Sequence, residues 1–77
     1  MDTRFEQILK SVAELPDEFE ILAEQDLRED LDIDSLRLID VVLGIEEEFN
    51  VELGEDALAK AKTAGQLWAE IAAVAAV

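Results

Sequence analysis

Few side chains in this sequence can do chemistry unaided. It has no Cys and no His, so it lacks a thiolate, the commonest general base and the commonest metal ligand. A self-sufficient hydrolase or zinc enzyme is disfavoured. The residue that stands out is Ser35, with Asp34 before it, Leu36 after it and Leu31 four residues earlier. A serine at a helix start is most often a cap or a plain surface residue. Without a base in its own chain, Ser35 can be a nucleophile only for a base brought by another protein.

Two acidic groupings compete for attention. Asp30-x-Asp32-x-Asp34 has the opening spacing of a calcium loop, but Ser35 stands where the turn glycine belongs and Val41 where the bidentate Glu belongs. That leaves at most weak divalent binding by clustered carboxylates, and a calcium sensor is a remote alternative. Glu46-Glu47-Glu48 reads as a solvated face, and its place beside a second apolar stripe suits contact with cationic residues.

These groups must be positioned by helices. Phe5, Ile8, Leu9 and Val12 recur at i, i+3, i+4, i+7, which predicts a first helix over 3–14, capped by Asp2 or Thr3 and closed by Pro16. Residues 15–33 form a long acidic loop. It holds Phe19, Ile21, Leu22, Leu27 and Leu31 without a clean period, and some of these are expected to pin it to the core. A second helix is predicted over 35–49 with Asp34 as N-cap, its carboxylate at the positive end of the helix dipole. Arg37 takes the place a capping box would give to Glu or Gln.

The second helix carries two apolar stripes. Leu38, Val41, Val42, Ile45 and Phe49 share one face. Leu36, Ile39 and Leu43 share another, beside Asp40, Glu46 and Glu47. One buried stripe is enough for a helix in a small bundle. The second stripe is therefore either buried by a further neighbour or a docking surface, and pattern alone leaves both open. Gly44 allows either close packing or a slight bend.

Asn50 stops the helix, and Leu53 is expected to be buried. A short third helix is expected over Ala57 to Ala61. Thr63 caps a last helix from Ala64 to about Ala75, with Leu67, Trp68, Ile71 and Val74 (or Ala75) facing in. The expected fold class is all-α. It is a small four-helix bundle of three longer helices and one short helix, with the long loop between the first two. Residues 1–77 suffice for a single domain.

Charge narrows the partners. Twenty acids face 6 bases, a net charge of −14. Nucleic acid and anionic membranes are disfavoured by repulsion, and basic protein partners are favoured by steering. With 51% apolar residues the chain is not an acidic disordered tail. No signal peptide is evident in the first residues, and no apolar run reaches the roughly 20 residues of a membrane span. A cytoplasmic protein is the default expectation.

With these residues in place, the chain resembles acyl carrier proteins of the discrete type. The resemblance rests on Asp34-Ser35-Leu36 opening the second helix, with Leu31 before it and Leu27 eight residues before the serine. Ile45-Glu46-Glu47-Glu48-Phe49 and Thr63-Ala64-Gly65-Gln66-Leu67 match further on. The tripeptide alone is weak; with the Glu-Glu-Glu-Phe run at the right spacing it is strong. Three departures stand out. Asp32 replaces the usual glycine, so the loop before the serine is expected to differ. Arg37 puts a base next to the serine. Ala61 and Ala64 stand where larger apolar residues are common, which suits a looser bundle or a larger cavity and a specialised member of the family.

The resemblance implies that Ser35 receives a 4′-phosphopantetheine arm from coenzyme A, attached by a separate phosphopantetheinyl transferase that supplies base and Mg²⁺. It implies a non-catalytic carrier of thioester-bound fatty acyl or polyketide groups. Asp34 and Leu36 flank the attachment point. Leu36, Ile39, Asp40, Leu43, Glu46 and Glu47 would form the surface read by acyl-processing enzymes with basic patches. A monomer is expected, with no stable membrane insertion. The alternatives are an aminoacyl or other specialised carrier, or an unmodified acidic interaction module on the same scaffold.

Overall fold

The computed structural model describes residues 2–54 and 59–75. These fold into three helices, α1 (Thr3–Ala13), α2 (Ser35–Phe49) and α3 (Ala64–Ala75), with no strand among the described residues. The short helix expected over Ala57 to Ala61 lies partly outside the described residues; Ala59 and Lys60 within it are helical. No helix among the described residues is long and apolar enough to cross a membrane.

Helix α1 starts at Asp2, whose carboxylate accepts the Arg4 backbone N–H at 2.7 Å. The Arg4 guanidinium, 3.3 Å from the same oxygen, and this amide bond hold the Asp2 carboxyl below its ordinary range. The helix ends one residue earlier than its periodicity predicts. Glu14 is left-handed (φ 58°), and the amides of Glu14 and Leu15 turn back to the Lys10 carbonyl. Leu15 precedes Pro16, so it is pushed out of the α region and the helix cannot continue.

Helix α2 settles the question of its two stripes. Leu38, Val41, Val42 and Ile45 are buried, and Phe49 packs partly against the same core. Leu36, Ile39 and Leu43 face solvent at 76%, 50% and 55% exposure. No described part of the chain covers them. Gly44 serves close approach: a Cβ there would sit 3.2 Å from Ile8 Cγ2 on α1, so its absence lets the two helices pack. Asn50 ends the helix in the left-handed region (φ 53°).

The long connection is ordered and pinned to the core by its apolar side chains, as expected. Ile21, Leu27, Leu31 and Ile33 are buried and Phe19 partly so, whereas Leu22 is exposed because the turn it opens carries it to the surface. Asp26 organises a turn: its carboxylate accepts the amides of Arg28 (2.8 Å) and Glu29 (2.9 Å). Its own N–H donates to the Asp30 carboxylate at 2.7 Å. The Glu29 amide is the main reason the Asp26 carboxyl is held below its ordinary range.

The connection is then tied to the start of α3. The Leu27 amide donates to the Lys62 carbonyl, Ala64 to Gln25 and Gly65 to Ala23, and Asp26 and Thr63 form an isolated antiparallel bridge. Gly65 has to be a glycine for this docking. A Cβ there would meet Ala23 Cβ at 2.9 Å and the Ala23 carbonyl oxygen at 3.0 Å. Backbone cannot yield as a side-chain tip can. Gly65→Ala should therefore destabilise the fold by about 1–3 kcal/mol despite its better helix propensity. A urea titration showing equal or greater stability would contradict this.

Helix α3 begins as expected. Thr63 Oγ1 accepts the Gln66 amide at 3.2 Å, and Gln66 Oε1 accepts the amides of Thr63 (3.3 Å) and Lys62 (2.7 Å). This is a reciprocal capping box. Leu67 and Ile71 are buried, and the Trp68 ring lies between Phe5 (tilted) and Phe49 (edge-to-face), 5.3 and 5.8 Å between ring centres. Val74 does not face in. It is 39% exposed, and Ala75 is exposed too, because the last turn runs past the end of the core.

Ala61 and Ala64 are both buried. A cleft of about 520 Å³ lies beside Ala61, with Leu27 and Leu38 in its wall.

Candidate functional site

Ser35 is the first residue of α2 and is exposed. It owes its position to both sides of the chain. Before it, Leu31 and Ile33 are buried, and the Ile33 amide donates to the Leu27 carbonyl at 2.9 Å. Asp32 between them is left-handed (φ 55°). That is the conformation glycine adopts without penalty and Asp tolerates. The departure from glycine at this position therefore keeps a backbone shape that glycine also supports. After it, Asp34 caps the helix, accepting the Arg37 amide at 2.8 Å.

The amides of Ser35 and Leu36 have no intrahelical partner, as in any helix start. They lie at the positive end of the helix dipole, where an anionic group is favoured. An exposed hydroxyl at such a place can carry a phosphoester.

The basic residue at the serine is not the one that adjacency suggests. Arg37 turns away toward α1, with Nη1 3.5 Å from the Val12 carbonyl and Nη2 3.7 Å from the Glu14 carboxylate. There it neutralises the negative end of α1. Arg28 instead donates from Nη2 to Ser35 Oγ at 3.1 Å. The two are seven residues apart, and only the turn built on Asp26 brings them together. The signal in the sequence was that turn: an Asp followed four residues later by a second Asp.

Beyond Ser35, the exposed stripe of Leu36, Ile39 and Leu43 runs along one side of α2. Asp40 and Glu47 are exposed beside it. Asp40 also borders the groove between α1 and α2, with Ile8 and Gly44. Glu46 is different: it is half-buried, and its Oε2 accepts the Leu53 amide at 2.9 Å. It pins the return of the chain after α2, and the partly buried Leu53 packs on the core.

The geometry of this helix start agrees with comparisons to known proteins. The family described as "Phosphopantetheine attachment site" matches residues 3–71. The acyl carrier protein of Acidothermus cellulolyticus is 35% identical over 63 residues, 82% of this chain and 74% of that protein. That of Coprothermobacter proteolyticus is 41% identical over 56 residues, 73% of this chain and 67% of that protein. The meromycolate extension acyl carrier protein of Mycobacterium tuberculosis is 32% identical over 72 residues, 86% of this chain and 63% of that protein. A family match over nearly the whole sequence meets an open, capped helix start that suits its cofactor, phosphopantetheine: the chain belongs to the acyl carrier protein family, whose members carry acyl groups rather than catalyse reactions.

Proposed function

We propose that Ser35 Oγ bears the 4′-phosphopantetheine arm and that the chain shuttles thioester-bound acyl groups of fatty acid or polyketide type between enzymes. The observation that carries this is the placement of Ser35: exposed, at the open N-terminus of α2, inside Asp34-Ser35-Leu36.

Attachment is a phosphoryl-group transfer. Ser35 Oγ forms a bond to the pantetheine-bearing phosphorus of coenzyme A, the diphosphate P–O bond breaks, and the nucleotide leaves with its own phosphate. The hydroxyl proton needs a base; with no His in this chain and Asp34 engaged as the helix cap, the transferase supplies base and Mg²⁺. The arm brings a terminal thiol, which a chain without Cys otherwise cannot offer to an acyl group. The chain's own residues fix where the arm starts. Leu31 and Ile33 anchor the loop, Asp34 caps the helix, and the amides of Ser35 and Leu36 favour the phosphate's charge.

Leu36, Ile39 and Leu43 form the docking surface for the transferase and for acyl-processing enzymes, with Asp40 and Glu47 steering basic patches on them. Glu46 shapes that surface by holding Leu53. The whole chain acts as a single monomeric domain in the cytoplasm. Similarity to a carrier named for meromycolate extension favours a lipid cargo over an aminoacyl one.

The test is intact mass after incubation with coenzyme A and a broad-specificity phosphopantetheinyl transferase. Wild type should gain the mass of one arm and Ser35→Ala none. No gain in wild type, or an equal gain in Ser35→Ala, would overturn the assignment and favour an unmodified interaction module.

A further inference from the structure

The site holds one feature that the carrier reading leaves unused. Arg28 places Nη2 3.1 Å from Ser35 Oγ. Its main chain is fixed: its amide donates to Asp26 Oδ1 at 2.8 Å, and the preceding Leu27 is buried. The surroundings are acidic. Arg28 shares a hollow of about 180 Å³ with Ser35, Ile33, Asp32 and Asp34. A phosphodiester on Ser35 would therefore sit among two carboxylates in a chain of net charge −14. Like charges at that range oppose one another, so some cation is needed to offset them.

We propose that Arg28 is the residue of this chain that holds the phosphate of the arm, an inference that rests on Ser35 as the attachment point. Before attachment the guanidinium donates to the serine hydroxyl. After it, Oγ is an ester oxygen and the charged phosphate oxygens lie two bonds further on, within the sweep of a flexible Arg side chain. Arg is suited to this, because its planar fork can bind two phosphate oxygens at once, whereas Lys acts as a point charge. Arg28 is thus a positioning residue. It fixes the root of the arm against the loop and leaves the thiol end free to reach partner enzymes.

The experiment compares apo and arm-bearing forms of wild type, Arg28→Gln, Arg28→Lys and Arg4→Gln. Arg28 is exposed, so these variants should fold. Arg4 lies over Phe49 at the far end of α2 and controls for an arginine lost away from Ser35, its own contacts with Asp2 and Phe49 cancelling when each variant is compared with and without the arm. The readouts are the ³¹P resonance of the arm-bearing protein and the change in melting temperature when the arm is added. In Arg28→Gln the ³¹P resonance should shift, and the melting temperature gained on adding the arm should fall by roughly half or more. Arg28→Lys should keep part of that gain, and Arg4→Gln should match wild type in both readouts. A wild-type ³¹P resonance and an unchanged gain in Arg28→Gln would overturn the proposal. Failure of the arm to attach to wild type would instead show up in the mass and would remove Ser35 as the attachment point, and this proposal with it.

Discussion

Ile33→Ala is expected to cost this protein a large share of its folding stability. Ile33 is fully buried, two residues before Ser35. Removing such a side chain costs about 2–5 kcal/mol, through lost transfer energy and the cavity left behind. A domain of this length has roughly 4–12 kcal/mol in total. At this size about 4–8 °C of melting temperature goes with each kcal/mol, so a fall of about 8–40 °C follows. Trp68 fluorescence can follow the transition in heat and urea, because its ring lies between Phe5 and Phe49. Ile33→Val should cost only about 0.5–1.5 kcal/mol. A loss below roughly 1 kcal/mol in Ile33→Ala would mean that the loop before Ser35 is not part of the core.

The loop and the site share their supports, so stability and function are coupled here. The Ile33 amide bonds the Leu27 carbonyl, and the Leu27 amide bonds the Lys62 carbonyl. One chain of contacts therefore runs from the start of α3 through the loop to the first residue of α2. A defect anywhere along it should displace the serine as well as lower stability.

That chain of contacts also marks what the sequence could and could not show. The helices were legible because their apolar residues repeat at helical spacing, and the capping residues Asp2, Asp34, Asn50 and Thr63 stand where that repeat begins or ends. The exposed stripe was legible as an excess: α2 had more apolar residues than one core face needs. Whether it was covered depended on neighbours, which no local pattern encodes. The Arg28 contact with Ser35 was hidden for a similar reason. It depends on a turn closed by Asp26 and on a bridge to Thr63, far along the chain. Adjacency pointed to Arg37, but a step of one residue along a helix turns a side chain by about 100°, and Arg37 points at α1. Glu46 looked like one more acid on the rim until the return of the chain put the Leu53 amide over it. Val74 failed in the opposite way: the apolar repeat continues after the core has ended.

Leu36→Ala should separate docking from folding. Leu36 is 76% exposed, so its truncation should move stability by less than about 0.5 kcal/mol. Leu38, two residues on, is buried, and Leu38→Ala should cost about 2–5 kcal/mol. In function the order reverses. If a partner enzyme closes over the stripe, Leu36 loses its water on binding, and burying a leucine fully is worth about 1.5–3 kcal/mol. Kinetic constants for the transferase should then show kcat/KM lower by roughly 10- to 100-fold in Leu36→Ala, with most of the change in KM. If Asp40 and Glu47 steer the partner, raising salt should weaken wild type as well, because exposed charges are screened. Leu36→Ala that is loaded as efficiently as wild type would place the docking surface elsewhere. A large loss of melting temperature in the same variant would mean that the stripe is covered within the chain itself, and that α2 is buried on two sides.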